Sequence, residues 1–591
     1  MGVRLNNDSS MLEVSFEYQE MDPREMNDIL AAYRSRKKYF RLGNGAFLSL
    51  TNTEFEKVAD IIDYLELNDK DLSKKLIELP RYRAIYLDEI LREAQLSSVH
   101  KNQAFKSLVQ NIKEPQDMEF SLPKELDPIL RDYQKTGFRW LKTLAEYGMG
   151  GILADDMGLG KTLQILAFIC SEKEKKLGPS LVIAPTSLVY NWQDEAQKFV
   201  PSMKIVVISG DPKERHELLQ EIDQADLIIT SYPLIRRDIE LYETVEFAYC
   251  ILDEAQHIKN PSSLNAKTVK QIKAKGYYGL TGTPIENSLS EMWSIFDFVM
   301  PGYLLSHGKF VKKYEKPIIR DQNNKIMNQL VKQIRPFILR RLKKDVAKEL
   351  PEKIETKVIT ELTEEQKKLY LPYLPQAKTT VDNEIYTHGF EKSQMKILAL
   401  LTRLRQICCH PSLFLENYQG DSCKLLLLED IVQDAKKSGH RILLFSQFTS
   451  MLDIIRRKLN GMGIEYFYLD GAVKAQDRRD MVSAFQQGNK DIFLISLKAG
   501  GTGLNLTGAD MVIHFDPWWN PAVEEQATDR AYRIGQKNNV QVFKFITKGT
   551  IEEKIYELQK KKKSLIDSVI QPGETLISKM KEAEIRELFE L

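Results

Sequence analysis

Three short stretches of this chain hold side chains whose types and spacing suit chemistry on a triphosphate. In GILADDMGLGKTLQILAFI, residues 151–154 read as the end of an apolar strand, 155–160 as a loop, and Lys161-Thr162 as the opening of a helix. Successive backbone N–H groups at such a turn point inward and the helix start adds its dipole, so phosphate oxygens bind there. Gly158 and Gly160 permit close backbone approach, and Asp156 lies in the same loop. Lys161 is expected to reach the β- and γ-phosphates, with the Thr162 hydroxyl as a ligand for Mg²⁺. The general phosphate-loop pattern has Gly where this chain has Asp155.

The second stretch is YCILDEAQHI, an apolar run ending in Asp253-Glu254. Carboxyl ends of strands are where open α/β sheets bind ligands. Asp253 is expected to hold Mg²⁺, because hard cations prefer carboxylate oxygens, and Glu254 to orient and deprotonate the attacking water. His257 has two open readings, a contact to the γ-phosphate or the other half of the protein and a structural loop histidine. Thr281 and Thr283, at the end of GYYGLTGTP, have short polar side chains able to bridge the acidic pair to a moving partner.

The third stretch is QATDRAYRIGQ, in which Gln526, Arg530 and Arg533 recur at spacings of four and three. Those spacings predict one helix face. Arginine stays charged and presents a fork of donors to a transferring phosphoryl group. Arg530 and Arg533 can therefore face a triphosphate held at Lys161 if the two halves close.

Such groups need scaffolding, and the chain supplies it. At 591 residues it is too long for one small domain. Hydrophobic residues are 43% and charged residues 28%, which excludes a disordered tether. The net charge of +1 neither requires nor excludes nucleic acid, since a channel needs local charge. Five cysteines argue against a disulfide scaffold and for a reducing compartment. Neither a signal segment nor an 18-residue apolar run is evident, so a cytoplasmic protein without a membrane partner is expected.

Short Val- and Ile-rich runs separated by helical patterns fill two regions, 119–345 and 435–570, and predict buried parallel strands in two α/β units. Residues 1–118 read as a mainly helical accessory segment. It has one alternating strand at Leu12 and Val14 and a hairpin turning at Asn44-Gly45. Residues 346–434 read as a helical insertion and linker broken by Pro372 and Pro375, and 571–591 as a helical tail. Residues 301–350 carry 13 Lys or Arg against 4 Asp or Glu; they suit either a solvated helical surface or a face for a phosphate backbone. Cys408, Cys409, His410 and Cys423 lack two convincing zinc-ligand pairs, so buried cysteine packing is expected.

The segments LRDYQKTGFRWL, DDMGLGKTLQ, LVIAPTSLVYNW, DEAQHIKN, GLTGTPIEN, ILLFSQFTSMLDII, ISLKAGGTGLNLTGAD and FDPWWNPAVEEQATDRAYRIGQ resemble the motor of superfamily 2 helicase-like ATPases. Within these they resemble the SWI/SNF-type chromatin-remodelling ATPases, across about 130–537. The resemblance implies two tandem RecA-like parallel-sheet lobes with helical insertions, and a DNA-stimulated ATPase that moves along double-stranded DNA without obligatory strand separation. It implies Gln134 on adenine with Arg131 nearby, and Gln526 completing the ATP site. It implies DNA contact or coupling at Thr186, Ser446, Gln447, Lys498, Gly501 and Thr502. Trp518 and Trp519 resemble paired tryptophans beside the track; packing at a strand end is the other reading. The Gln256-His257 form of the acidic box suggests a bacterial member, associated with the nucleoid when bound to DNA. The N-terminal segment resembles the end of a bacterial accessory region, which fits a shortened chain and a surface for an unidentified protein partner. A monomer is expected. The competing functions are a strand-separating DNA or RNA helicase and a non-hydrolysing nucleotide-dependent clamp or scaffold.

Overall fold

The computed structural model describes residues 2–568 except 7–10, 16–24, 52–56, 60, 63–64, 66, 68–70, 72–73, 75, 95–98, 283–287 and 501–503, together with 585–586 and 588–589 of the tail. Phe16, Tyr18, Asp22 and Pro23, on which parts of the N-terminal reading rest, lie outside the described residues.

Near the N-terminus, β1 (Gly2–Asn6), β2 (Met11–Ser15), β5 (Ile77–Pro80) and β6 (His100–Lys101) form a sheet in the order β5-β2-β1-β6. The expected hairpin is present, β3 (Tyr39–Arg41) against β4 (Phe47–Ser49), with Gly45 at φ +88° in its turn. The helices Met26–Arg34, Arg83–Ala94 and Gln103–Lys113 pack beside these strands. The sheet adds to the helical content read from sequence: its strands are short and pair across distant segments. One buried core runs from Val3 of this module to Phe337. Tyr82 meets Tyr303 edge-on at 5.2 Å, and Lys332 pairs with Glu93. The module and the first lobe are thus packed as one unit.

That lobe is a parallel sheet of seven strands: β7 (Gly151–Leu153), β8 (Ser180–Ala184), β9 (Ile205–Val207), β10 (Leu227–Ser231), β11 (Glu246–Leu252), β12 (Lys273–Leu280) and β13 (Ile338–Leu339). Their order is β13-β7-β12-β11-β8-β10-β9. Every residue of β8 and β10 is buried, as strands covered by helices on both faces require. The second lobe is a six-stranded parallel sheet, β14 (Lys353–Thr360), β15 (Ile442–Ser446), β16 (Tyr466–Leu469), β17 (Ile492–Ser496), β18 (Met511–His514) and β19 (Val540–Thr547), ordered β14-β19-β18-β15-β17-β16.

Two expectations for 346–434 are corrected. The segment opens with β14, which pairs with β19 over its whole length and forms the edge of the second sheet. Charged Lys353, Glu355 and Lys357 disguise it, as edge strands tolerate charge. Pro372 and Pro375 also do not break a helix: Glu364–His388 runs through both. They sit on its exposed side, where water can satisfy the freed carbonyls, while Tyr370, Leu374, Ala377, Val381 and Ile385 pack inward. Gly389 (φ +77°) turns the chain into the partner helix Phe390–Cys409. Cys408, Cys409 and Cys423 are buried free thiols. Ile585, Leu588 and Phe589 of the tail are buried in the same cluster.

Candidate functional site

β7 leads into the loop 154–160, where Gly158 (φ +81°) and Gly160 (φ +74°) have left-handed backbone. A Cβ at Gly160 would lie 2.4 Å from the Gln134 side chain, and one at Gly158 only 2.6 Å from Cβ of Arg533. One glycine lets the loop close on its own lobe, and the other lets the second lobe touch it. Lys161 opens the helix Lys161–Glu172, and its Nζ donates to the Asp155 carbonyl at 2.7 Å. Gln134 Nε2 and the Tyr133 hydroxyl both donate to the Leu159 carbonyl, at 3.0 and 2.9 Å. The Arg131 N–H donates to Gln134 Oε1 at 3.0 Å. Gln134 and Arg131 therefore sit at the back of the loop.

The structure accounts for Asp155 in place of glycine. Its carboxylate is wholly buried and accepts from Arg341, with Nε to Oδ1 at 2.8 Å. Gln164 closes the cluster, donating to Asp155 Oδ2 at 3.2 Å and accepting from Arg341 at 2.6 Å. A buried charge with a forked cationic partner is tolerated where a lone one is not. Asp156 Oδ2 accepts from the Lys343 N–H at 2.9 Å. Of the 13 cations in 301–350, Arg341 and Lys343 thus turn inward, whereas Lys312, Lys316, Arg320, Lys325, Arg340 and Lys344 are exposed.

β11 delivers the acidic pair. Asp253 Oδ2 accepts from Trp192 Nε1 at 2.8 Å, and Oδ1 from the Glu254 N–H at 2.9 Å. Glu254 has left-handed backbone (φ +48°), rare for a residue with a side chain. Gln256 donates to Glu254 Oε2 at 2.8 Å and accepts from the Thr281 hydroxyl at 3.0 Å, a chain joining β11 to β12. Burial, and then the neighbouring Glu254 carboxylate, push Asp253 up to about 7. Two like charges drawn out of water are a site for a cation. The Asp253 carboxylate and the Thr162 hydroxyl, which hydrogen-bonds to Glu195, are hard oxygens of the kind Mg²⁺ prefers. His257 is exposed, with its ring stacked on Tyr232 at 5.0 Å.

The second lobe contributes its arginines differently from the expectation. The helix Pro521–Thr528 carries Gln526 but ends before Arg530 and Arg533, which lie in turns. The Leu506 N–H donates to the Arg530 carbonyl at 3.0 Å, and Gln536 Nε2 to that of Ala531 at 3.1 Å, which ties the turn to neighbouring segments. Both arginines still face the first lobe. Arg530 is 3% exposed; burial lowers it to about 10, and Glu254 opposes that shift. Arg533 is lowered by burial, with Glu195 opposing. Glu195 in turn is raised by burial, opposed by Arg533 and by a hydrogen bond from the Thr162 hydroxyl. A cleft of about 380 Å³ lies between the lobes, with Asn191, Asp194 and Glu195 on one wall and Arg478, Arg479 and Arg533 on the other.

Thr186 is exposed just beyond β8. Ser446 donates to Asp516 Oδ1 at 2.5 Å, and Gln447 Oε1 accepts from Arg405 at 3.0 Å. The Arg405 guanidinium also faces the rings of Trp518 and Trp519 at 6.0 and 5.3 Å, so Gln447, Trp518 and Trp519 surround one buried cation, to which Ser446 is linked through Asp516. Thr283, Gly501 and Thr502 lie outside the described residues, as does the Lys498 side chain.

Comparison with known proteins bears on this geometry. Residues 133–413 match the SNF2-related domain, 423–535 the helicase conserved C-terminal domain, and 1–123 the bacterial SNF2 helicase associated domain. The chain belongs to the SNF2 family. Among its SNF2 relatives, YwqA of Bacillus subtilis is 43% identical over 473 residues, 78% of this chain and 51% of that protein. An uncharacterized ATP-dependent helicase of Mycoplasma pneumoniae is 35% identical over 591 residues, 99% of this chain and 56% of that one. The solved SWI2/SNF2 ATPase core of Sulfolobus solfataricus in complex with dsDNA is 40% identical, covers 78% of this chain and 97% of that one, and has a TM-score of 0.39. The chain spans about half the length of the relatives it matches.

Five residues of this SNF2 site carried no signal in the sequence: Gln164, Trp192, Glu195, Arg341 and Lys343. All but Gln164 are distant in the chain from the group they serve, and each sits in a helix or basic run of ordinary composition. The one available clue was Asp155, whose unexpected charge demanded a cation somewhere in the fold.

Proposed function

We propose that this chain is an ATP-dependent double-stranded DNA translocase, hydrolysing ATP to ADP and phosphate as its lobes close, without obligatory strand separation. The observation that carries the reading is the burial of Arg530 against the first lobe together with Arg533 in contact range of Gly158. Lys161 and the loop amides bind the phosphates, Gln134 and Arg131 border the adenine side, and Gln526 stands at the closing edge. Glu254 takes the proton of the attacking water, held through Gln256 and Thr281. Arg530 and Arg533 stabilise charge on the transferring phosphoryl group, a contribution of ~10³–10⁵ in related chemistry. Mg²⁺ would be held by Thr162 and Asp253 and would neutralise phosphate charge.

Backbone contacts suit a track read without base preference. Thr186, Lys498, Gly501, Thr502 and the exposed cations of 301–350 supply them in this reading, and His257 and Thr281 couple them to the acidic pair. Because Gln447, Trp518 and Trp519 gather on Arg405, and Ser446 joins them through Asp516, their part is transmission within the second lobe. Residues 1–118, packed onto the first lobe, offer a surface to an unidentified protein partner.

Plain duplex should raise ATP turnover well above single-stranded DNA of equal nucleotide content, and the protein should displace a triplex-forming strand while leaving the duplex paired. Absence of duplex stimulation overturns the reading; strand separation moves it to a helicase; binding without turnover moves it to a clamp.

A further inference from the structure

The segment that crosses between the lobes also walls the phosphate loop. The Ala154 N–H donates to the Leu339 carbonyl at 2.7 Å, the Asp156 N–H to the Arg341 carbonyl at 3.0 Å, and the Lys343 N–H to Asp156 Oδ2 at 2.9 Å. Residues 339–343 thus run alongside 154–156, locked by backbone as well as by the Arg341–Asp155 fork. From this wall one side chain leaves the first lobe. Lys343 Nζ lies 2.6 Å from Asp529 Oδ1 and donates to the Tyr532 carbonyl at 2.5 Å. The same ammonium sits 5.1 Å from the Tyr532 ring.

Asp529 and Tyr532 belong to the turn that carries Arg530 and Arg533. Lys343 is 7% exposed, which removes it from the cations able to meet a phosphate backbone. Its main chain is fixed to the loop that grips the triphosphate, and its ammonium to the turn that presents the arginines. A shift of that loop reaches the arginine turn through this side chain as well as through the Gly158–Arg533 contact. An exposed pair could do little of this, because solvent and side-chain entropy would absorb the strain; a buried ammonium with two fixed oxygen partners transmits it.

We propose that Lys343 is a positioning residue that couples the phosphate loop to the placement of Arg530 and Arg533, acting through Asp529. This rests on the reading of the arginines as hydrolytic groups. A misplacement of about 1 Å in such a group can cost on the order of 10²-fold in rate. The pair should behave as a unit, so its members' effects should not multiply.

The test is steady-state ATP turnover of the full chain, with and without saturating duplex, for Lys343→Met, Asp529→Asn, the double variant and Lys343→Arg. Each single variant should lower kcat roughly 10–30-fold while KM for ATP stays within about threefold. The double variant should fall within about threefold of the worse single, and Lys343→Arg should recover part of the loss. Multiplying effects, a loss confined to KM, or a Lys343→Met rate within about twofold of wild type overturns the proposal. Should Lys343→Met lack a folded melting transition, Asp529→Asn alone decides by the same split between kcat and KM. A wild type unmoved by duplex would refute the translocase reading in its own arm, and the cycle would then be read on DNA-free turnover.

Discussion

The two lobes share a parallel-sheet plan but build their halves of the site by opposite means. In the first lobe the groups emerge where strands end: β7 into the phosphate loop, β11 into Asp253-Glu254, β12 into Thr281. Their positions follow from local geometry plus hydrogen bonds supplied from within the same lobe. In the second lobe Arg530 and Arg533 stand on turns whose carbonyls are held by Leu506 and Gln536, and whose Asp529 is held by Lys343 from outside. The first half is self-supporting. The second depends on tertiary contacts, one of them from the other lobe, and in the proposed function such dependence lets hydrolysis respond to closure.

The comparison can be broken most directly at the borrowed half. Arg533→Ala should lower ATP turnover by ~10³-fold or more while leaving duplex binding near wild type, checked by turnover beside a binding titration. Unchanged duplex-stimulated turnover would remove the second lobe from the chemistry. In the self-supporting half, Glu254→Gln should cost ~10²–10⁴-fold in turnover with nucleotide affinity nearly intact, measured with a fluorescent ATP analogue.

Stability offers a matched contrast. Each lobe buries a Lys–Glu pair, Lys142–Glu172 in the first and Lys424–Glu552 in the second. Glu172 keeps Tyr249 at 2.5 Å and Lys175 at 3.3 Å if Lys142 is lost. Among the described residues, Glu552 would keep the backbone Thr547 N–H and no second cation. Lys424→Met should therefore cost about 3–5 kcal/mol, and Lys142→Met less, by urea unfolding. Equal losses would erase the distinction.

A smaller effect follows pH. His514, buried in the second lobe with Thr528 at 2.9 Å, is lowered by burial to about 4. Its free value is near 6.5, so the unfolded chain binds the extra proton first. Its contribution to stability is full above about 6.5 and is lost as pH falls towards about 4. The melting temperature of His514→Gln should approach that of wild type over that window; a constant gap would count against a neutral buried imidazole. The smallest change is expected at the exposed Arg479–Asp194 pair, which bridges the lobes at 2.6 Å. Arg479→Ala should alter turnover by about twofold or less, and less still at high salt, because solvent screens such pairs.

Much of the fold was legible because buried parallel strands advertise themselves: SLVIA and LIITS have no polar face to hide. β14 was not, because an edge strand with alternating charges resembles a solvated helix. The N-terminal sheet was only partly visible, since a strand of two residues such as β6 has no period to read. At the site, Lys161, Asp253 and Glu254 were legible because each stands beside its strand or helix boundary. Spacing was a weaker guide at Arg530 and Arg533: it predicts one helix face, and the chain instead leaves the helix at Thr528.

The sequence by itself determined the chemical inventory: a phosphate-binding turn, an acidic pair and a set of arginines, each set out by residue type and short-range spacing. Only the tertiary structure decided which charges neutralise which. Arg341 was free in sequence to face solvent or DNA, yet it lies on Asp155; Lys343 reaches across to Asp529. The physical reason is that hydrogen bonding in a turn or helix acts over a few residues and leaves a local pattern, whereas burial of these charges is settled by partners far along the chain that leave none.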